Sequence, residues 1–101
     1  MKMNNGGRNM QIGKVIGTVV ATRKDETLVG SKLLITQPLN IKEESDGKAL
    51  VAVDTVGAGI GELVIYTEGT AARNAAGKYD SSINAAIIGI IDNIDVWEDE
   101  L

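Results

Sequence analysis

A chain of 101 residues, 44% of them hydrophobic, has material for one modest core and hence one domain. Its net charge of −4 speaks against the basic footprint of a nucleic-acid binder. Cysteine and histidine are both absent, which excludes disulfides and removes the commonest general base and the commonest neutral metal ligand.

Residues 1–9 read as a flexible N-terminal extension, with no apolar stretch of the kind a secretory signal needs. The longest apolar run, Ala85 to Ile91, falls far short of the ~20 residues that span a membrane, so a cytosolic protein is expected. Phenylalanine is missing and the aromatics are Tyr66, Tyr79 and Trp97, so the core must be assembled from Val, Ile, Leu and Ala. Such a core favours sheets rich in β-branched residues.

Met10 to Arg23 reads as a long first strand, with Val15, Gly17, Val19 and Ala21 on one face and Lys14, Thr18 and Thr22 opposite. A polar connection follows, then a second strand from Leu28 to Gln37. Pro38 has no N–H for a ladder and marks a strand end or an edge. Residues 42–48 form a hairpin loop in which Asp46-Gly47 supplies the positive-φ turn. A third strand, Ala49 to Thr55, enters a glycine bend, and the fourth runs from Glu62 to Thr67. Gly69 to Ser82 is a long connection whose alanine-rich centre, Ala71 to Ala76, allows one helical turn. The fifth strand spans Ile83 to Val96 and trails into an acidic tail at 98–101, so the folded domain is expected over 10–97. Five short strands with one short helix before the last predict an all-β, OB-like, partly open barrel.

The glycines at Gly57, Gly59 and Gly61 invite a nucleotide-binding reading that their spacing refuses. A dinucleotide fingerprint is G-x-G-x-x-G opening a helix, whereas these alternate and lead into the strand Leu63-Val-Ile-Tyr66. They fit a bend with close backbone approach, or a subunit contact. Glu62, just after them, is placed to accept backbone amides or to sit exposed at a strand start. Arg73 is either a solvated loop cation or an intersubunit anchor through its planar fork. Asp92 is a cap, a partner for Arg73 or a surface acid, and Trp97 is expected to pack as a lid on the barrel end or on a neighbour.

The last strand is apolar on both faces: Ile83, Ala85, Ile87, Gly89 and Ile91 on one, Ala86, Ile88 and Ile90 on the other. Either the preceding connection covers the second face or another copy does, and self-association is the favoured reading. The carboxylates Asp92, Asp95, Glu98, Asp99 and Glu100 lack the spacing of a calcium loop and read as a solvated tail. Ser31, Ser45, Ser81 and Ser82 have no histidine to activate them, and no nucleophile elbow surrounds Lys32 or Lys78 as partner to a serine. No catalytic site, cofactor or metal is expected.

In order along the chain, Met10-Gln-Ile-Gly-Lys-Val-Ile-Gly-Thr-Val-Val-Ala-Thr-Arg-Lys24, Gly30-Ser-Lys-Leu-Leu-Ile-Thr-Gln-Pro38, Val53-Asp-Thr-Val-Gly-Ala-Gly-Ile-Gly-Glu62, Gly69-Thr-Ala-Ala-Arg73 and Ala86-Ile-Ile-Gly-Ile-Ile-Asp92 resemble the EutN/CcmL family of bacterial microcompartment vertex proteins. Each motif alone is weak, and the ordered set is specific. The resemblance implies an OB-like barrel protomer in a cyclic homopentamer that plugs the vertices of a polyhedral shell, a carboxysome or a metabolosome, in the bacterial cytoplasm. It implies hexameric shell proteins as neighbours and enclosed enzymes as further partners, with neither nucleic acid nor membrane. It also tips Arg73 towards the intersubunit role. Thr70 stands where a serine is common, Ser81-Ser82 where some members carry a proline-containing turn, and residues 1–9 lie outside the family pattern. The alternative from another class is an OB-type module for single-stranded nucleic acid or an oligosaccharide. It lacks the basic groove and interleaved aromatics that such modules use.

Overall fold

The computed structural model describes residues 10–22 and 24–97; the N-terminal extension and the acidic tail expected from the sequence lie outside the described residues. Five strands are present: β1 (Gln11–Val19), β2 (Leu33–Leu39), β3 (Leu50–Asp54), β4 (Leu63–Glu68) and β5 (Ala85–Ile90). A helix, α1 (Gly69–Ala76), joins β4 to β5, and a short 3-10 turn covers Glu26–Leu28. The strands close into a barrel in the order β1-β2-β3-β5-β4. All pairings are antiparallel except β3 with β5, a parallel pair of only Val53↔Ala86 and Asp54↔Ile87. Thr55 strengthens that short seam by donating its hydroxyl to the Ile87 carbonyl at 2.8 Å. The barrel is therefore closed where the sequence predicts a partly open one.

Alternation sorts side chains between two cores. Val15, Leu34, Ala52, Val64, Tyr66, Ala85 and Ile87 fill the barrel interior, and Ala58 joins them from the β3–β4 connection. The neighbouring residues Leu33, Val53 and Ala86 point outward and pack with Ile83 beneath Ala72 of α1. Two irregularities re-aim side chains: the β1–β2 register skips between Val15 and Gly17, leaving Ile16 over, and the β4–β5 register skips between Ile65 and Tyr66, leaving Ile88 over. Gly13 marks the tightest packing, since a Cβ there would lie 2.7 Å from the Thr36 methyl and 3.1 Å from the Tyr66 ring.

Several boundaries differ from expectation, each for a visible reason. β1 stops at Val19, and the second strand starts at Leu33 because Asp25 caps a 3-10 turn at Thr27 and Gly30 takes φ +84°. Pro38 lies inside β2, opposite Gly13, but beyond the last β2–β3 pair, Thr36↔Leu50, where its carbonyl accepts from the Asp46 amide at 2.9 Å and no N–H of its own is called for. Gly47 has the expected positive φ, and Glu43 adopts one as well. The helix makes two turns rather than one, ending at Gly77, whose φ of +70° and amide bonds to the carbonyls of Arg73 and Asn74 complete a left-handed cap. β5 ends at Ile90 rather than at Val96 because its partner β4 begins at Leu63, leaving residues 92–97 without a strand to pair with.

Tyr66 is buried in the barrel and donates its hydroxyl to Gln11, which in turn donates to Glu68. Burial, aided by the carboxylates of Glu68 and Asp46, pushes its pKa up to about 12 from an ordinary value of 10.0. Above pH 10 the unfolded chain loses the phenolic proton while the folded chain keeps it, so this residue's contribution is intact below pH 10 and is lost as pH rises towards 12. Thermal midpoints measured from pH 8 to 12 should fall more steeply for the wild type than for Tyr66→Phe, which has no phenol to titrate.

Candidate functional site

The β3–β4 connection, residues 55–62, is the segment in which expected site residues gather. Asp54 ends β3 with its side chain 2% exposed and turns its carboxylate into the connection. Oδ1 accepts from the amides of Val56 and Gly57, and Oδ2 accepts from that of Ala58 at 2.9 Å. Lys32, one residue before β2, lies 3.6 Å from Asp54 Oδ2 and donates to the Ala58 carbonyl at 2.9 Å. At the far end Glu62 Oε1 accepts from the Gly59 amide at 2.6 Å, although Glu62 itself is exposed. Gly61 donates to the Val15 carbonyl and Val15 donates to that of Glu62, which fastens the segment to β1. Gly57 and Gly61 have φ of +81° and +91°, so glycine is needed there for the turn itself. Gly59 has an ordinary φ, and a Cβ on it would meet Glu62 Oε1 at an ordinary contact distance of 3.5 Å, so neither the backbone nor the packing demands glycine at that position.

Arg73 sits on α1 rather than in a loop, and its fork is used within the protomer. Nη1 donates to the Ile83 carbonyl at 3.0 Å and Nη2 to the Thr70 hydroxyl at 3.2 Å, tying the helix to the entrance of β5. Asp92 is exposed beyond β5, and neither of these bonds reaches it. Ala86, expected on an intersubunit face, is fully buried within the protomer beneath α1; the connection preceding β5 covers that part of the strand. Further along, Ile88 is half-buried and Ile90 is 38% exposed, so the uncovered apolar surface belongs to the far end of the strand. Trp97 is 69% exposed and forms no lid on its own barrel.

Among the described residues no group of acidic side chains is placed to hold a metal ion. Ser31 and Lys78 do meet, with Nζ 3.0 Å from Oγ, but the same ammonium donates to the Thr27 carbonyl, so the pair is a tie between the 3-10 turn and the loop after α1.

The family model described as ethanolamine utilisation protein EutN/carboxysome matches residues 10–92. The chain belongs to the EutN/CcmL family. The bacterial microcompartment shell vertex protein GrpN of Rhodospirillum rubrum is 52% identical over 86 residues, which cover 85% of this chain and 97% of GrpN. The carboxysome shell vertex protein CcmL of Synechocystis sp. is 45% identical over 87 residues, 86% of this chain and 87% of CcmL. The solved structure of the pentameric microcompartment shell protein GrpN from R. rubrum matches with a TM-score of 0.78 at 48% identity, covering 86% of this chain and 99% of that one.

In this EutN/CcmL barrel, the sequence weighs Lys32 only as a partner to a serine and gives Asp54 no role of its own. Asp54 reads in sequence as an ordinary polar strand end. The available signal was its position two residues before a run of small residues with unpaired amides, which a short carboxylate is suited to cap.

Proposed function

We propose that this chain is a structural shell vertex protein: it assembles into homopentamers that cap the vertices of a polyhedral bacterial microcompartment in the bacterial cytoplasm, and it is not an enzyme. The observation that carries this is kinship along nearly the whole chain with shell vertex proteins, including the structurally similar pentameric GrpN. Physically, a layer of hexagonal units closes into a shell only with pentagonal defects, and a head-to-tail contact that closes after five copies supplies one. Hexameric facet proteins are then the lateral neighbours, and enclosed enzymes are partners on the inner side. The subunit contact draws on Ile88 and Ile90 at the end of β5, with Thr70 and Arg73 on α1 and Asp92 beyond the strand. Gly57, Gly59, Gly61 and Glu62 shape the bend beside it.

A role as an OB-type binding module has less behind it. Of the three aromatics, Tyr66 is consumed by the core, which leaves Tyr79 and Trp97 as exposed stacking surfaces on an acidic chain.

Native mass spectrometry in dilute solution tests the proposal. Five copies of the 10.6 kDa chain weigh about 53 kDa and six about 64 kDa, a separation that decides the closure symmetry. The expected species is the pentamer, followed by co-assembly with hexameric shell proteins. A stable monomer at micromolar concentration would overturn it.

A further inference from the structure

A cleft of about 480 Å³ opens between the end of α1, the loop before β2 and the turn after β3. That is the volume of a small-molecule site. Two lysines border it, Lys32 from the loop and Lys78 just past the helix. Its one acidic wall residue among the described residues is Asp54, and that carboxylate is spent. Its oxygens accept from the amides of Val56, Gly57 and Ala58, and the side chain is 2% exposed. Glu26 and Asp80 border a separate cleft, which Lys78 also touches. Two ammonium groups against one carboxylate leave this cleft with one positive charge in excess, on a chain whose net charge is −4.

The donors around the cleft are only partly used. An ammonium carries three N–H groups. Lys78 spends two, on the Thr27 carbonyl at 2.9 Å and the Ser31 hydroxyl at 3.0 Å. Lys32 donates to the Ala58 carbonyl at 2.9 Å and faces Asp54 at 3.6 Å, which leaves it one as well. Ser31 accepts from Lys78, so its own proton has no acceptor among the described residues. Three groups on the wall thus keep one proton each, while their other bonds hold them in place. Holding them beforehand lowers the ordering cost of taking a ligand. A phosphate group offers three acceptor oxygens, one for each of these donors, whereas a carboxylate offers two. Lysine suits it as a point charge. Beyond the donors the wall turns apolar at Val53, Ala75 and Ala76, where a short carbon body finds cover.

We infer that this cleft binds a phosphate group through Lys78, Ser31 and Lys32, either as inorganic phosphate or as the phosphoryl end of a small organic ester. The site is complete within one protomer, so it stands or falls apart from the number of subunits.

Phosphorus-31 NMR on the full chain tests it, at about pH 8 where both probes are largely dianionic. The probes are inorganic phosphate and glycerol 3-phosphate, and each resonance should broaden saturably as protein is added. A lower half-saturation for the ester identifies a small organic phosphate as the occupant, and equal values identify inorganic phosphate. Lys78→Gln should weaken both probes roughly tenfold, the scale of one charge-assisted hydrogen bond. Because Lys78 also ties the 3-10 turn to the loop after α1, Val29→Glu serves as a second variant. Val29 is 62% exposed on the rim, so the change leaves the thermal midpoint as in the wild type and sets a like charge before the anion. It too should weaken both probes about tenfold or more. Lys48→Gln, exposed in the hairpin loop outside the cleft, should bind as the wild type does. The inference is overturned by the absence of saturable broadening with either probe, or by wild-type binding in Lys78→Gln or Val29→Glu. An equal loss in Lys48→Gln would assign the binding to overall charge and overturn it as well.

Discussion

Asp54→Ala is expected to destabilise the protein by about 2–3 kcal/mol, the scale of losing charge-assisted hydrogen bonds and leaving their donors without a partner, since Lys32 opposite is half exposed and can turn to water. The carboxylate is nearly inaccessible to water and serves three consecutive amides besides facing Lys32. Alanine removes every one of these partners at once. The amides of Val56, Gly57 and Ala58 are left to find water or to let the connection open, and opening withdraws Ala58 from the barrel core. Asp54→Asn should cost less, since its one amide oxygen can still accept from part of the turn. Urea unfolding at a fixed protein concentration measures both, because subunit association otherwise adds its own concentration-dependent term. A loss below about 1 kcal/mol for Asp54→Ala would mean that the positive-φ glycines hold the turn unaided.

Ala86→Lys and Ile90→Lys should separate folding from assembly on a single strand. Ala86 is fully buried among Leu33, Val53, Ala72 and Ile83, between β5 and α1. A lysine there must either bury an unpaired ammonium or lever the helix off the sheet. Either outcome costs several kcal/mol, about as much as breaking a buried ion pair, and should leave little folded protein at 37 °C. Ile90 is 38% exposed at the end of the same strand, so a lysine there can reach water and should change protomer stability by no more than about 0.5 kcal/mol. Its effect should appear as a smaller native mass. Circular dichroism melts paired with native mass spectrometry distinguish the two. An Ala86→Lys protein that melts like the wild type would contradict the packing of α1 on β5.

These two residues also show where sequence patterning stops. The run from Ala85 to Ile91 is apolar on both faces, a pattern that calls for cover on both, and within the protomer the second face is covered at Ala86 but open at Ile90. What covers each face is a tertiary matter. α1 takes Ala86, because the eight-residue helix returns over the outside of the barrel, and nothing in the spacing of Ala71 to Ala76 announces where it will land. The irregular register at Ile65 and Tyr66 then turns Ile88 aside, so simple alternation fails just past the point where it had worked. The strand's end at Ile90 follows from the length of its partner β4, and the chain beyond shows no local change in pattern that would mark it.

Sequence alone determined the strand count, the short helix before the last strand, the glycine turn, and, through an ordered set of motifs, the family and its vertex role. These are properties of local pattern: alternation of period two, glycine where φ must be positive, and residues in a fixed order. Tertiary structure alone decided that the barrel closes through a two-residue parallel seam, that Gly13 must lack a side chain, and that Asp54 caps the turn after β3. Each of these depends on groups distant in sequence being brought within a few ångströms. A one-dimensional pattern records which side chains must be buried, while their partners are fixed only when the chain closes on itself.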